Sequence, residues 1–384
     1  YFEGLVVGRR YDEAHEMTSR ICGICSCAHV IAAITAMEDA LKYIPTEQTK
    51  TLRVLLTLGE RIRSHATHLY FLALPDYTGY ESALAMAPKY RPQLNDALLL
   101  MKAGNHVIRT LASRELHPVS ATIGGWLKLP TQERIAELHS LLKSVKKAAQ
   151  RTCELFFSFP YPSFDSEGDH FSLTGEKEYA VLDGSLQSEK SRFDKKDYKK
   201  FIDEYHEPRS SANFVVKEGR RYMVGALARL NNNHKHLSKD AARMLRKSKI
   251  KSSSHNPYHN NIAQAIELVH CIDHAMDICS TLKIQDEPVA KLRVRAGTGV
   301  AAIEVPRGTL WHEYSIDKNG VIISANIITP TAQNLLNIQE DVRQFVSTIV
   351  GKKKDEIIMD IEKLIRSYDP CFSCAAHFLE VNWE

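Results

Sequence analysis

Two Cys-x-x-Cys pairs near opposite ends of the chain are the residues best suited to chemistry. The first lies in Arg20-Ile21-Cys22-Gly23-Ile24-Cys25-Ser26-Cys27-Ala28-His29 and the second in Asp369-Pro370-Cys371-Phe372-Ser373-Cys374-Ala375-Ala376-His377. A histidine follows each pair closely. A zinc ribbon repeats its pair after about 15–20 residues, so that a short loop closes around one ion. Here almost the whole chain separates the pairs, and a complete fold must bring them together around a buried, pre-shaped site. Four thiolates at such a site would select a soft or borderline metal: zinc, nickel, iron or copper(I).

Helices must do most of this positioning, and the pattern predicts a mainly α protein with smaller β lobes (α+β). The run from Val30 to Leu41 is apolar on nearly every side, as in a buried helix. Cys25 and His29 are four apart and would share a face if that helix starts in the CxxC loop. Further helices are expected over Thr46 to about Leu74, Pro92 to about Leu111 and Pro130 to about Phe157. From about Ser158 to Leu230 aromatics, glycines and charges mix without helical period, which predicts a sheet-bearing lobe. Helical patterns return at Lys239–Arg246, Asn260–Leu282, Ala332–Val350 and Glu356–Ser367. Between Val294 and Ile328 lie short β-branched runs, with Lys318-Asn319-Gly320 as a hairpin turn, since Asn-Gly tolerates positive φ. One large domain over 1–384 is expected, in three parts: 1–157, 158–235 and 236–384. There is no internal repeat.

Bulk properties exclude several classes. At 384 residues the chain can bury a sizeable core, and Lys+Arg 50 against Asp+Glu 46 gives a formal charge of only +4. Lysine clusters at 195–200 and 352–354 therefore read as solvated faces, not as a nucleic-acid stripe. No apolar run approaches the ~20 residues needed to cross a bilayer, and no basic-then-apolar leader is present. The CxxC spacing in a long chain that needs no disulfide staples indicates metal binding in a reducing compartment. Cys27, Cys153, Cys271 and Cys279 are expected to be plain thiols, buried or at the surface. The chain opens at Tyr1 without Met, so an upstream segment is expected.

Arg-x-Cys-Gly-x-Cys-x-x-x-His near the start and Asp-Pro-Cys-x-x-Cys-x-x-His at the end resemble the two signatures of nickel–iron hydrogenase large subunits. The resemblance extends over the whole chain. It includes Val305-Pro306-Arg307-Gly308-Thr309-Leu310 and Thr329-Pro330-Thr331-Ala332-Gln333-Asn334. It implies that Cys22 and Cys371 are terminal ligands of nickel, while Cys25 and Cys374 bridge nickel to an iron carrying carbon monoxide and cyanide. His29 would donate to a bridging sulfur, and Arg307, steadied by Asp369, would hang over the open coordination position beside Pro306. Thr331 would donate to the other cyanide. Ser64 stands where many relatives carry an aspartate. Glu3, nineteen residues before Cys22, would hold magnesium with the Ile327 carbonyl and His377.

The reaction so implied is reversible heterolysis of H2, with the Cys371 thiolate taking the proton. No further cysteine group is spaced like an iron–sulfur ligand set. Electrons must then leave through an iron–sulfur small subunit docked near the N-terminal pair. Pro-Arg-Gly-Thr-Leu, Pro-Thr-Ala-Gln-Asn and the short tail are most similar to the cytosolic bidirectional group, linked to NAD(P) through flavin diaphorase subunits. A group passing electrons to ferredoxin or a heterodisulfide reductase is the alternative. Maturation proteins would place the metals, and an endopeptidase would cut after His377, making the last seven residues a precursor tail. Two other classes stand beside this one. A non-catalytic structural relative is disfavoured because such chains lose the cysteines, and a zinc-stabilised interaction protein would show zinc alone.

Overall fold

The computed structural model describes residues 2–371 except 209, 211, 251 and 252. Five long or central helices build the core: α1 (Ser26–Leu41), α2 (Glu47–Thr67), α3 (Ala83–Ala112), α4 (Gln132–Phe157) and α6 (Asn260–Thr281), with the shorter α5 (Ala226–Asn233) between the last two. A three-stranded antiparallel sheet follows, in the order β1 (Gly297–Val305), β2 (Gly308–Ile316) and β3 (Ile322–Ile328). Helices α7 (Pro330–Ile349) and α8 (Lys354–Ser367) then lead to Asp369-Pro370-Cys371. Short paired strands lie between Asp169 and Met223. No helix of the described residues is long and apolar enough to cross a membrane.

Helix α1 is buried nearly all round, as its apolar run requires. Cys25 occupies its N-cap position but offers the helix no side-chain cap. Glu60 of α2 does so instead, accepting from the Cys27 and Ala28 N–H groups at 2.8 and 3.1 Å. The free donors of a helix start and its positive dipole end both favour a carboxylate there. Arg63, one turn further along α2, donates to the carbonyls of Ile24 and Glu115. The first CxxC loop is thus bolted to α2.

The sheet lies between two apolar clusters. Ala301, Ile303 and Val305 face the helical core, whereas Val300 and Ala302 face a second cluster with Phe171, Leu186, Tyr222 and Trp311. This is the period-two alternation of a strand covered on both sides. Strand β1 runs antiparallel to α1 at close range. A Cβ on Gly297 would stand 2.5 Å from the Ala40 carbonyl, and one on Gly299 would stand 2.1 Å from that of Ala36. From Gly299 to Val305 the strand covers about 20 Å. From Ala36 back to Cys25 the helix covers about 17 Å. The two-residue turn Pro306-Arg307 therefore arrives at the cysteine end of α1.

Three expectations need correction. Pro92 does not open a helix: α3 starts at Ala83, capped by Ser82, and passes Pro88 and Pro92 by kinking at Tyr90 (φ −110°, ψ 28°). Helix α2 gives way after Thr67 to a π-helical segment, His68–Ala73, then to a short helix Leu74–Thr78 with Pro75 in its first turn. Leu74-Pro75 therefore does not end the helical run, which continues to Thr78. The sheet-bearing lobe also ends earlier than expected, because Ala226–Asn233 is helical. At Lys318-Asn319-Gly320 the hairpin turn is present, and Gly320 alone of the three has positive φ (81°).

The α1–β1 contact leaves no room for a side chain. Gly299→Val is expected to cost about 1–3 kcal/mol by overpacking, read as a lower midpoint in denaturant unfolding. Gly351→Ala, whose Cβ would meet nothing within 4 Å, should stay within about 0.5 kcal/mol of the parent. Equal midpoints for the two variants would refute the packing argument.

Candidate metal centre

Cys22 and Cys371, 349 positions apart, bring their sulfurs to 3.6 Å. The Cys25 N–H points at Cys22 Sγ at 3.3 Å. The sulfurs of Cys22, Cys25 and Cys371 all lie within 4.8 Å of one another, and all three residues are buried. A metal–thiolate bond of about 2.3 Å in a tetrahedral site sets sulfurs roughly 3.8 Å apart, so the spacing fits one ion held by several thiolates. Hydrogen bonds from Cys22 and Cys371, together with burial, push the Cys25 thiol well up. A hydrogen bond with Cys25 lowers Cys22, but Cys371 and burial outweigh it and raise that thiol as well. Deprotonation therefore needs a strong cation among the sulfurs, which a bound metal supplies. The other cysteine of the second pair, Cys374, lies outside the described residues, as do His377 and the tail beyond it.

Cys25 and Cys371 border a small cavity lined also by His29, Pro306, Arg307 and Thr331, among others. Arg307 is buried and its Nη2 stands 3.1 Å from Asp369 Oδ1, while its Nε donates to the Asp369 carbonyl at 2.9 Å. Burial works against the Arg307 charge, yet Asp369 and the three thiols outweigh it and hold the guanidinium protonated. Its Nη1 is buried and has no hydrogen-bond partner among the described residues. Thr331 Oγ1 accepts the Cys371 N–H at 3.1 Å, which leaves the hydroxyl proton free to donate. A buried cationic donor, a hydroxyl able to donate and a set of soft thiols suit a metal whose other ligands are small and anionic.

His29 stands in the first turn of α1, and its Nδ1 meets His312 Nε2 at 3.1 Å. His312 Nδ1 in turn meets the Tyr314 hydroxyl at 2.7 Å. Burial, only partly offset by Cys371, drops His29 to about 4, and burial lowers His312 further, so both rings are neutral near pH 7. A neutral ring carries one N–H, and the partner on one nitrogen decides what the other offers. Glu3 Oε1 accepts the Ile327 N–H at 2.8 Å. Carboxylate and strand edge are thus adjacent, joined through the amide of Ile327. Ser64 Oγ is buried without a partner among the described residues.

Several supporting groups are not legible as such in the motifs. Gln264 of α6 donates to Asp369 Oδ2 at 2.9 Å and meets His68 Nδ1 at 2.6 Å through its own oxygen. Asn260 donates to the Ser367 carbonyl at 2.7 Å, and Asn337 of α7 donates to the Tyr368 hydroxyl at 2.7 Å. These bonds seat the second motif against α6 and α7. Asp369 takes up positive φ (53°), a region L-residues seldom adopt, and Arg307 and Gln264 hold it there. One sequence signal was available. The run Gly59-Glu60-Arg61-Ile62-Arg63-Ser64-His65 puts ionisable groups all round a helix, and buried charges mark sites where they have partners.

The chain matches the family described as nickel-dependent hydrogenase over residues 1–114 and 208–377. The alpha chain of sulfhydrogenase 1 of Pyrococcus furiosus is 33% identical over 386 residues, covering 99% of this chain and 90% of the relative. A chain of the F420-non-reducing hydrogenase of Methanothermobacter thermautotrophicus is 29% identical, covering 99% and 87%. Among solved structures, an NAD+-reducing [NiFe]-hydrogenase in the H2-reduced state superposes with TM-score 0.89 at 24% identity, covering 98% of this chain and 91% of the other. A Ni-Fe-Se hydrogenase from D. vulgaris Hildenborough gives 0.81 at 18% identity, covering 98% and 92%. With the fold, the thiol cluster and the full-length likeness in agreement, this chain belongs to the nickel-dependent hydrogenase family, whose members are oxidoreductases acting on H2.

Proposed function

We propose that this chain is the catalytic large subunit of a cytoplasmic nickel–iron hydrogenase that cleaves H2 reversibly and passes electrons to an iron–sulfur small subunit, and from there to NAD(P) through flavin subunits. The observation that carries the reading is the meeting of Cys22, Cys25 and Cys371 beside a buried Arg307 whose Nη1 has no partner among the described residues. Cys22 and Cys371 are assigned as terminal ligands of nickel, and Cys25 and Cys374 as bridges to iron. When bound, the nickel–iron group with its carbon monoxide and cyanide ligands supplies the Lewis acid that polarises H2.

The residues divide the remaining work. The Cys371 sulfur is the first acceptor of the proton. Arg307 lines the cavity, its Nη1 has no hydrogen-bond partner among the described residues, and its charge would stabilise charge developing there, which a preorganised donor in a dry site does far better than water. Asp369 fixes the direction of that guanidinium through a charge-assisted contact, and Gln264 fixes Asp369. Thr331 and the Pro306 turn complete a polar wall able to seat anionic diatomic ligands. His29 supports a bridging sulfur from behind, as groups around a metal site commonly do. Ser64 is a small, uncharged neighbour. Glu3, the Ile327 carbonyl and His377 are assigned to a magnesium ion. Maturation proteins and removal of the tail after His377 by an endopeptidase belong to the same reading.

The small subunit is placed against the outside of the first CxxC loop. Ile24 is 36% exposed, and Leu116 and Val119 are 48% and 41% exposed. Arg63 bonds the carbonyls of both Ile24 and Glu115, so the backbone carrying Leu116 lies beside the first CxxC loop. Leu116→Glu is expected to leave the fold unchanged by circular dichroism but to separate the two subunits on gel filtration. Unaltered co-elution would move the interface elsewhere.

The native complex under H2 tests the assignment itself. Nickel and iron should both be present, with hydrogen-dependent reduction of a viologen dye and of NAD(P)+. Dye reduction without NAD(P)+ reduction would shift the acceptor to ferredoxin or a heterodisulfide reductase. Zinc alone, with no hydrogen-dependent reduction, would overturn the hydrogenase reading in favour of a zinc-stabilised structural subunit.

A further inference from the structure

The β1–β2 turn carries Arg307 to the cavity, and what holds the turn is a side chain with no part in the chemistry above. Arg229, on α5, is fully buried. Its Nε and Nη2 donate to the two oxygens of Glu267 at 2.7 Å each. Nη1 donates to Glu304 Oε2 at 3.1 Å and to the Val305 carbonyl at 2.8 Å, and Nη2 also reaches the Pro306 carbonyl at 2.9 Å. A guanidinium has five N–H donors, and here all five are used.

The same cluster grips the flanks of the turn. Arg61 donates to the Glu304 carbonyl at 2.7 Å, and Gln333 donates to that of Thr309 at 2.6 Å. Glu304 Oε1 accepts the Thr309 hydroxyl at 2.7 Å and the Leu173 N–H at 2.8 Å. From behind, Gly308 packs so closely on Val224 that a Cβ would stand 2.5 Å from Cγ2. Two arginines and two glutamates balance in charge, yet a buried ion cluster is often no more stable than apolar packing of the same volume. Stability alone therefore does not account for it. Its distinct product is geometric: the inward carbonyls of a turn containing Pro306, which has no N–H to offer, receive donors in fixed directions.

We infer that Arg229 is a positioning residue for Arg307, setting the turn so that the Arg307 guanidinium reaches over the sulfurs. The inference rests on the proposed role of Arg307, and its test has one arm that does not. Arg229→Lys keeps the charge but offers three donors on a compact head instead of a planar fork. In the chain as purified, peptides spanning 302–310 should exchange amide hydrogen roughly tenfold faster or more, with peptides from α1 unchanged. That result is independent of any reaction. In the metal-loaded complex, hydrogen oxidation by Arg229→Lys should fall about 10²-fold. In an Arg307→Lys background the same substitution should cost less than about threefold, because residues that act through one another are not additive.

An equal loss in both backgrounds, a parental rate, or unchanged exchange around the turn would each overturn the inference. Glu267→Gln, which weakens the anchorage of Arg229 without removing it, should give the same pattern at lower amplitude. It serves as the variant of choice if Arg229→Lys does not fold.

Discussion

Everything in this molecule answers to one constraint: sulfurs 349 residues apart must sit 3.6 Å from each other in a dry interior. Buried thiols resist ionisation, and thiolates repel one another, so the protein cannot rely on the sulfurs to find each other. Each cysteine is instead delivered by backbone held from elsewhere. Glu60 and Arg63 hold the N-terminal loop. Asn260, Asn337 and Gln264 hold the C-terminal one. The cost of keeping three thiols together is offset only when a cation joins them, which couples metal binding to the final closure of the fold.

Buried polar groups elsewhere follow from the same demand. Asp369, Pro370 and Cys371 lie outside any helix or strand, and unpaired buried groups are expensive. Side chains on α2, α6 and α7 therefore supply the donors and acceptors. The result is a polar lining around the site inside an otherwise apolar core, extended through His29, His312 and Tyr314 along one face of β2. Such networks specify one arrangement at the expense of tolerance, since any member left alone becomes a buried unsatisfied group.

The two cysteine motifs and the buried helix after the first were legible because each is local: a spacing or a period carries the information. The long helices were legible for the same reason, with boundaries shifted where tertiary packing overrode local signals. Tyr90 absorbs the kink that lets α3 run past two prolines, and the π segment after Thr67 carries α2 on toward Pro75. The turn at Pro306-Arg307 gave a motif without a geometry, because what fixes it lies on helices far away in sequence. Arg229, Gln264 and Glu60 act across the fold and have no local pattern to announce them. Only the crowding of charges between Glu60 and His65 hinted at a helix with no free face.

The most direct measurement is an infrared spectrum of the native protein, in the window between the amide and thiol bands where metal-bound carbon monoxide and cyanide absorb. Sharp bands there, in protein containing nickel and iron, are the expected result and place the diatomic ligands on a metal held by these cysteines. A silent window in protein that carries both nickel and iron would contradict the assignment of the thiol cluster as a hydrogen-cleaving centre.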